Sequence, residues 1–216
     1  MEHNNFEALL RGEKHGLTIF EPFPTRDIVT KLIWRGGDEL WDTMAHRTET
    51  LIGFYKYIKS DVAIIEPRGE LEAVLSAELP EGMKFVIISD DPRELKSAAE
   101  SEKVCALATR GEFFELNKPM ILLQSEDESA DETLSRAEKF DAVYLRSMAA
   151  SRRGKIILGG IGSEFINERP PLDIYDLVRK LSESGEWAVG SGGFGEGIEY
   201  LGFISMLGIY NKLREE

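Results

Sequence analysis

Short runs of β-branched and aliphatic residues recur along this chain, each separated from the next by a stretch with the apolar spacing of a helix. That alternation of strand and helix is what builds a parallel sheet. The eight runs are Leu17–Phe20, Val62–Ile65, Phe85–Ile88, Val104–Leu107, Met120–Leu123, Ala142–Leu145, Ile156–Leu158 and Trp187–Val189. Stretches such as Val-Ala-Ile-Ile and Met-Ile-Leu-Leu are apolar at every position, as a strand covered on both faces requires. Eight such units match the count of a (β/α)8 TIM-type barrel, and 216 residues lie near the lower end of what that fold uses. An open doubly wound parallel sheet is the alternative, because repeating βα units alone do not reveal closure. With no Ser/Gly linker and no internal repeat, a single domain over residues 1–216 is expected, with a helix before the first strand.

The helical stretches carry their own punctuation. Thr25 caps a segment running to Trp34, which stops at Gly36-Gly37. Asp38 caps the longest segment, to Ile58, whose stripe is Leu40, Met44, Leu51 and Phe54. Asp91-Pro92-Arg93-Glu94 sets a cap and a first-turn proline. Ala130–Lys139, Leu172–Ser182 and Ile198–Arg214 follow, with modest helices at Gly69–Leu79 and Gly111–Leu116 and only a remnant at Ser147–Arg153.

Charge narrows the function classes. With 39 Asp+Glu against 26 Lys+Arg the formal charge is −13, which opposes non-specific binding to nucleic acid and to anionic membranes. Arg152-Arg153 with Lys155 is the densest basic spot and is too small for a binding stripe. No window is long and apolar enough to span a bilayer, and Met1–Lys14 lacks the apolar core of a signal peptide, so a cytoplasmic protein is expected. The single Cys105 lies inside an expected strand, where it reads as a small buried hydrophobe. His3, His15 and His46 do not form a zinc-spaced set, and the sequence names no cofactor.

In a barrel, residues just beyond the strand ends collect at one mouth. Those residues are Glu21, Glu66 and Arg68, Asp90, Thr109 and Arg110, Gln124 and Glu126, Arg146, the turn containing Gly160 and Gly162, and the turn Gly190-Ser191-Gly192-Gly193. Arginines and carboxylates on one rim either pair with one another as a structural ring or meet a charged ligand. In the second case Arg68, Arg110 and Arg146 hold a carboxylate or phosphate, while Glu66 and Asp90 serve as catalytic acid and base. The glycine turns, with Ser191, then offer backbone donors to the same anion, although tight closure of the barrel alone could also demand those glycines. The expected partner is a small anionic metabolite. The last helix is apolar nearly all round from Leu201 to Tyr210, which points to a homodimer through that helix.

Phe6-Glu-Ala-Leu-Leu-Arg-Gly-Glu13, together with the order Ile156–Ile161, Pro171–Leu181 and Trp187–Gly193, resembles the uroporphyrinogen decarboxylase-like superfamily at both ends of the chain. The resemblance implies a (β/α)8 barrel and lyase or methyltransferase-type chemistry. The chain lacks that superfamily's His-x-Cys zinc motif, and only Arg26 stands where the decarboxylases carry an arginine-rich motif. A phosphate-binding isomerase or synthase barrel, or a non-catalytic binding and assembly module, are the alternatives.

Overall fold

In the computed structural model of the chain, residues 4–33, 38–148, 154–191 and 198–216 are described. They form an α/β fold around a curled, half-barrel sheet of seven parallel strands in the order β1-β2-β3-β4-β5-β6-β7. The strands are β1 (Val62–Ile65), β2 (Lys84–Ile88), β3 (Val104–Thr109), β4 (Met120–Leu123), β5 (Ala142–Leu145), β6 (Ile156–Ile161) and β7 (Trp187–Ser191). Each corresponds to one aliphatic run of the sequence. Every strand residue except Lys84 and Ile156 is buried, which explains why the runs are apolar throughout rather than alternating. Sequential order means that each crossover advances the sheet by one strand in the same direction. The order never reverses, so the crevice that defines a doubly wound sheet is missing among the described strands.

The first expected strand is the exception. Of Leu17–Phe20, only Ile19 forms a bridge, parallel to Val189 of β7, where the Phe20 N–H donates to the Val189 carbonyl and the Val189 N–H to the Thr18 carbonyl. On its other edge the bonds come from side chains. The Ser60 hydroxyl lies 3.3 Å from the Ile19 carbonyl oxygen and 2.9 Å from that of Val62, and the Tyr55 hydroxyl lies 3.0 Å from the Glu21 carbonyl and 3.2 Å from that of Ile64. Hydroxyl pins stand where a backbone ladder to β1 would be, so the segment does not become a regular strand.

The helices are α1 (Asn5–Leu10), α2 (Arg26–Ile33), α3 (Met44–Tyr57), α4 (Leu71–Ser76), α5 (Pro92–Ala99), α6 (Ala130–Arg136), α7 (Ser163–Glu168), α8 (Pro171–Glu183) and α9 (Tyr200–Glu215). The expected helix over Asp38–Ile58 is broken into a 3-10 turn, Asp38–Trp41, and α3. Thr43 is the reason: its backbone is extended and its hydroxyl accepts the His46 N–H, a better N-cap than a continued helix would allow. Asp91 caps α5 as expected, accepting the Arg93 N–H. No helix forms over Gly111–Leu116, and α7 was not expected. The 36–37 glycine stop, the basic pair 152–153 and the 192–197 glycines lie outside the described residues. No helix among the described residues is long and apolar enough to cross a membrane.

Candidate functional site

Because the strands are parallel, their C-terminal ends share one side of the sheet, and residues that follow several of those ends line a cavity of about 460 Å³. Its wall on one side is Glu66 and Arg68, just after β1, with Arg110 after β3. Its other wall is Gln124, Ser125 and Glu126 after β4, with Arg146 after β5. Phe23 and Thr25, from the loop after the Ile19 bridge, complete the lining. Six of the sequence candidates, Glu66, Arg68, Arg110, Gln124, Glu126 and Arg146, are thus brought together.

Glu66 is shared between two arginines. Its Oε1 lies 3.3 Å from Arg110 Nη1 and its Oε2 lies 3.6 Å from Arg68 Nη2. Asp90, after β2, stands behind this pair rather than in the cavity lining. Its Oδ1 accepts the Thr109 hydroxyl at 2.7 Å and the Arg110 N–H at 2.8 Å, and its Oδ2 lies 3.6 Å from Arg110 Nη1. Partial burial pushes the Asp90 carboxyl up, but the Thr109 and Arg110 hydrogen bonds and the guanidinium outweigh it and hold the group below the usual carboxylate range. An ionised carboxylate occupied in this way is placed to orient Arg110. Arg47, on α3, joins the same electrostatic group. Burial, and then the positive charge of Arg68, lower its pKa, while Glu66 opposes them.

Two of the cavity residues, Phe23 (φ 57) and Arg68 (φ 54), hold left-handed backbone that residues with side chains rarely adopt. Such strain costs about 1–3 kcal/mol per residue and clusters at ligand sites. The Arg110 guanidinium sits over the Phe23 ring at 5.0 Å, and Phe23 also meets the ring of Tyr144, on β5, edge-on at 6.3 Å. On the opposite wall Gln124 ties two loops together. Its Nε2 donates to the Glu128 carbonyl at 2.6 Å and its Oε1 accepts the Arg146 N–H at 2.7 Å, while Arg146 Nη2 lies 3.6 Å from Glu126.

The remaining candidates lie elsewhere. Glu21 is fully buried, with no part in the cavity lining. Its carboxyl accepts the Ser191 N–H at 3.0 and 3.1 Å, the Ser191 hydroxyl at 2.7 Å and the Tyr210 hydroxyl at 2.8 Å. Burial raises its pKa to about 8 against the pull of those three donors. The N–H and hydroxyl of Ser191 are thus both engaged by Glu21. Gly160 is inside β6, paired with Gly190 and packed on Trp187, so its backbone belongs to the sheet. Gly162 precedes α7 as its N-cap, and Gly192 and Gly193 lie outside the described residues. Cys105 is buried, its thiol 3.4 Å from the Phe85 carbonyl, and burial pushes its pKa well up.

Phe23, Thr25, Ser125 and Arg47 are residues that sequence reasoning missed. Phe23, Thr25 and Ser125 were accessible to the rule already used, since all three follow strand ends. Arg47 was not, because it reaches the mouth from a helix. Comparison of the chain with protein-family models, with characterised proteins and with solved structures gives no match.

Proposed function

We propose that this mouth binds a small anionic metabolite, with Arg68 and Arg110 as its electrostatic anchors, Arg146 on the opposite wall, and Glu66 as the group that handles protons. The observation that carries the reading is a contrast within the chain. Arg136 and Glu128 close a two-bond fork at 2.7 and 2.8 Å, and Arg11 and Glu13 do so at 2.9 and 3.0 Å. At the mouth, one carboxylate is stretched between two guanidiniums at 3.3 and 3.6 Å. Forked pairs are the strong ones, so Arg68 and Arg110 retain donor capacity that a ligand carboxylate or phosphate can take up. Chemistry of lyase or methyltransferase type is the reading that the likeness to uroporphyrinogen decarboxylase-like proteins adds, and a carboxylate beside a bound anion is compatible with it.

The same proposal includes closure of the sheet into a barrel through residues 18–21. The backbone bonds to β7 and the Ser60 and Tyr55 hydroxyl pins to β1 support it. So does the burial of both faces, because crossovers that all advance in one direction leave the concave face without covering helices. A homodimer through α9 is also part of it, supported by exposed Tyr200, Leu201 and Ile204.

The test is a thermal-shift titration with inorganic phosphate and small carboxylates on the wild type and on R68A/R110A. Binding raises Tm by linkage, by about 2.7 kcal/mol of stability at a hundredfold excess over Kd. A shift retained in full by the double variant would remove the mouth as the site.

A further inference from the structure

Resting on the anion-binding reading, we infer that the ligand is a hydroxylated anion, a polyol chain or sugar ring that carries a carboxylate or a phosphate. The cavity, at about 460 Å³, is large enough for a whole small molecule rather than a lone inorganic ion. Pockets for small molecules are ordinarily lined by apolar and aromatic side chains with a few polar groups among them. Here the proportion is reversed: of the nine described residues that line the cavity, Phe23 alone is apolar. Once the anionic group of a ligand has met the arginines, the rest of it still lies among hydroxyl, amide and carboxylate groups. An apolar tail would strip water from those groups and return no hydrogen bond, at roughly five- to hundredfold in affinity for each group left dry. A hydroxylated tail replaces the lost water bonds with its own.

Two hydroxyls of the lining are uncommitted. Ser125 follows β4, and among the described residues its side chain has no hydrogen-bond partner. It stands on a fixed loop, because the neighbouring Gln124 holds both the Arg146 N–H and the Glu128 carbonyl, and the Ser125 carbonyl accepts the Glu128 N–H at 3.3 Å. Thr25 lies just before α2, where its hydroxyl accepts the Ile28 N–H only at 3.5 Å and donates its own proton to no described group. Glu126, with a side chain that is 73% exposed, adds an acceptor beside Arg146. A sugar or polyol carries C–H groups on its faces and hydroxyls around its edge, a division that matches one aromatic ring among polar neighbours. The left-handed backbone at Phe23 holds that ring two residues from Thr25, so the aromatic surface and one hydroxyl come from the same short segment.

The anionic end is a carboxylate or a phosphate, since a guanidinium fork suits both. Isothermal titration with pairs matched in carbon number, glycerol 3-phosphate against propyl phosphate and gluconate against hexanoate, separates the cases. The expected result is that in at least one pair the hydroxylated member binds roughly tenfold or more tightly than its apolar counterpart. A preference within the first pair alone assigns phosphate to the anionic end, within the second alone carboxylate, and within both a site that takes either. S125A and T25V, each checked for folding by circular dichroism, should each shrink that preference by about three- to tenfold, whereas T25S, which keeps the hydroxyl, should preserve it. Equal affinity within both pairs, or tighter binding of the apolar members, overturns the hydroxylated ligand and leaves anion binding intact. A preference that survives both S125A and T25V in full overturns its assignment to this cavity. If no probe binds at about 10 mM, both readings fall.

Discussion

The substitution Glu21→Gln should change how stability depends on pH far more than it changes the structure. The folded protein holds the Glu21 proton up to about pH 8, whereas an unfolded glutamate releases it near 4.5. A raised pKa gives stability that is complete below the unfolded value and lost as pH climbs through the folded one. With one unit worth about 1.36 kcal/mol, raising pH from about 5 to about 9 removes on the order of 4 kcal/mol from the wild type at this residue alone. The full burial of the carboxyl means that no solvent screening reduces this figure. The amide of the variant would keep an acceptor for the Ser191 N–H and would carry no titrating proton. Urea denaturation of both proteins across that pH range measures the difference directly, and titrating groups that are not coupled to Glu21 cancel in the subtraction. In Tm the same loss is roughly 10 °C for a chain of this size. Two stability curves that stay parallel, within about 0.5 kcal/mol, would refute the claim that a neutral Glu21 is what the fold accommodates.

Three further outcomes test other parts of the molecule. Glu66→Gln removes the carboxylate that competes with a ligand for Arg68 and Arg110, so phosphate or carboxylate affinity should rise about three- to tenfold in titration calorimetry; a fall would mean that Glu66 holds the arginines in place instead. Gly190→Ala drives a methyl group into the Phe20 carbonyl oxygen and should cost more than about 3 kcal/mol or prevent folding, whereas Gly208→Ala, on an open part of α9, should be neutral or stabilising by up to about 1 kcal/mol. Leu201→Glu, at a residue 74% exposed, should keep the circular dichroism of the wild type and convert a sedimenting dimer to monomer, with Tm lowered by the lost association; a wild type that is already monomeric at micromolar concentration removes the dimer.

The strands were legible because burial on both faces leaves an unbroken aliphatic signature, seen in Val62–Ile65 and Met120–Leu123. Leu17–Phe20 reads as a strand by its apolar and β-branched residues, yet its second edge is held by Ser60 and Tyr55, and no local pattern reveals hydroxyl contacts from distant residues in place of a ladder. The break before α3 was visible as Thr43 but was outweighed by the long apolar stripe around it. At the mouth, the rule that polar groups gather beyond parallel strand ends found Glu66, Arg68, Arg110, Gln124, Glu126 and Arg146. It misplaced Glu21, because position after a strand does not say whether a carboxylate faces water or the interior. Phe23 went unremarked for the opposite reason, since an aromatic near a strand end reads as packing.

Glu21 and Phe23 are two residues apart, and their roles are connected by that spacing. A left-handed Phe would relax to ordinary backbone unless the chain on both sides were over-determined. On one side Glu21 is fastened to β7 and α9 through Ser191 and Tyr210, and its own carbonyl is fastened to α3 through Tyr55. On the other side Phe23 is clasped by Arg110 and Tyr144. The buried carboxyl, though absent from the cavity, thus fixes the aromatic surface on which a ligand would rest. Preorganisation of this kind needs a rigid support behind the contact residue. The fold gives up stability at neutral pH to bury Glu21, and what it gains is a fixed attachment for the loop that carries Phe23.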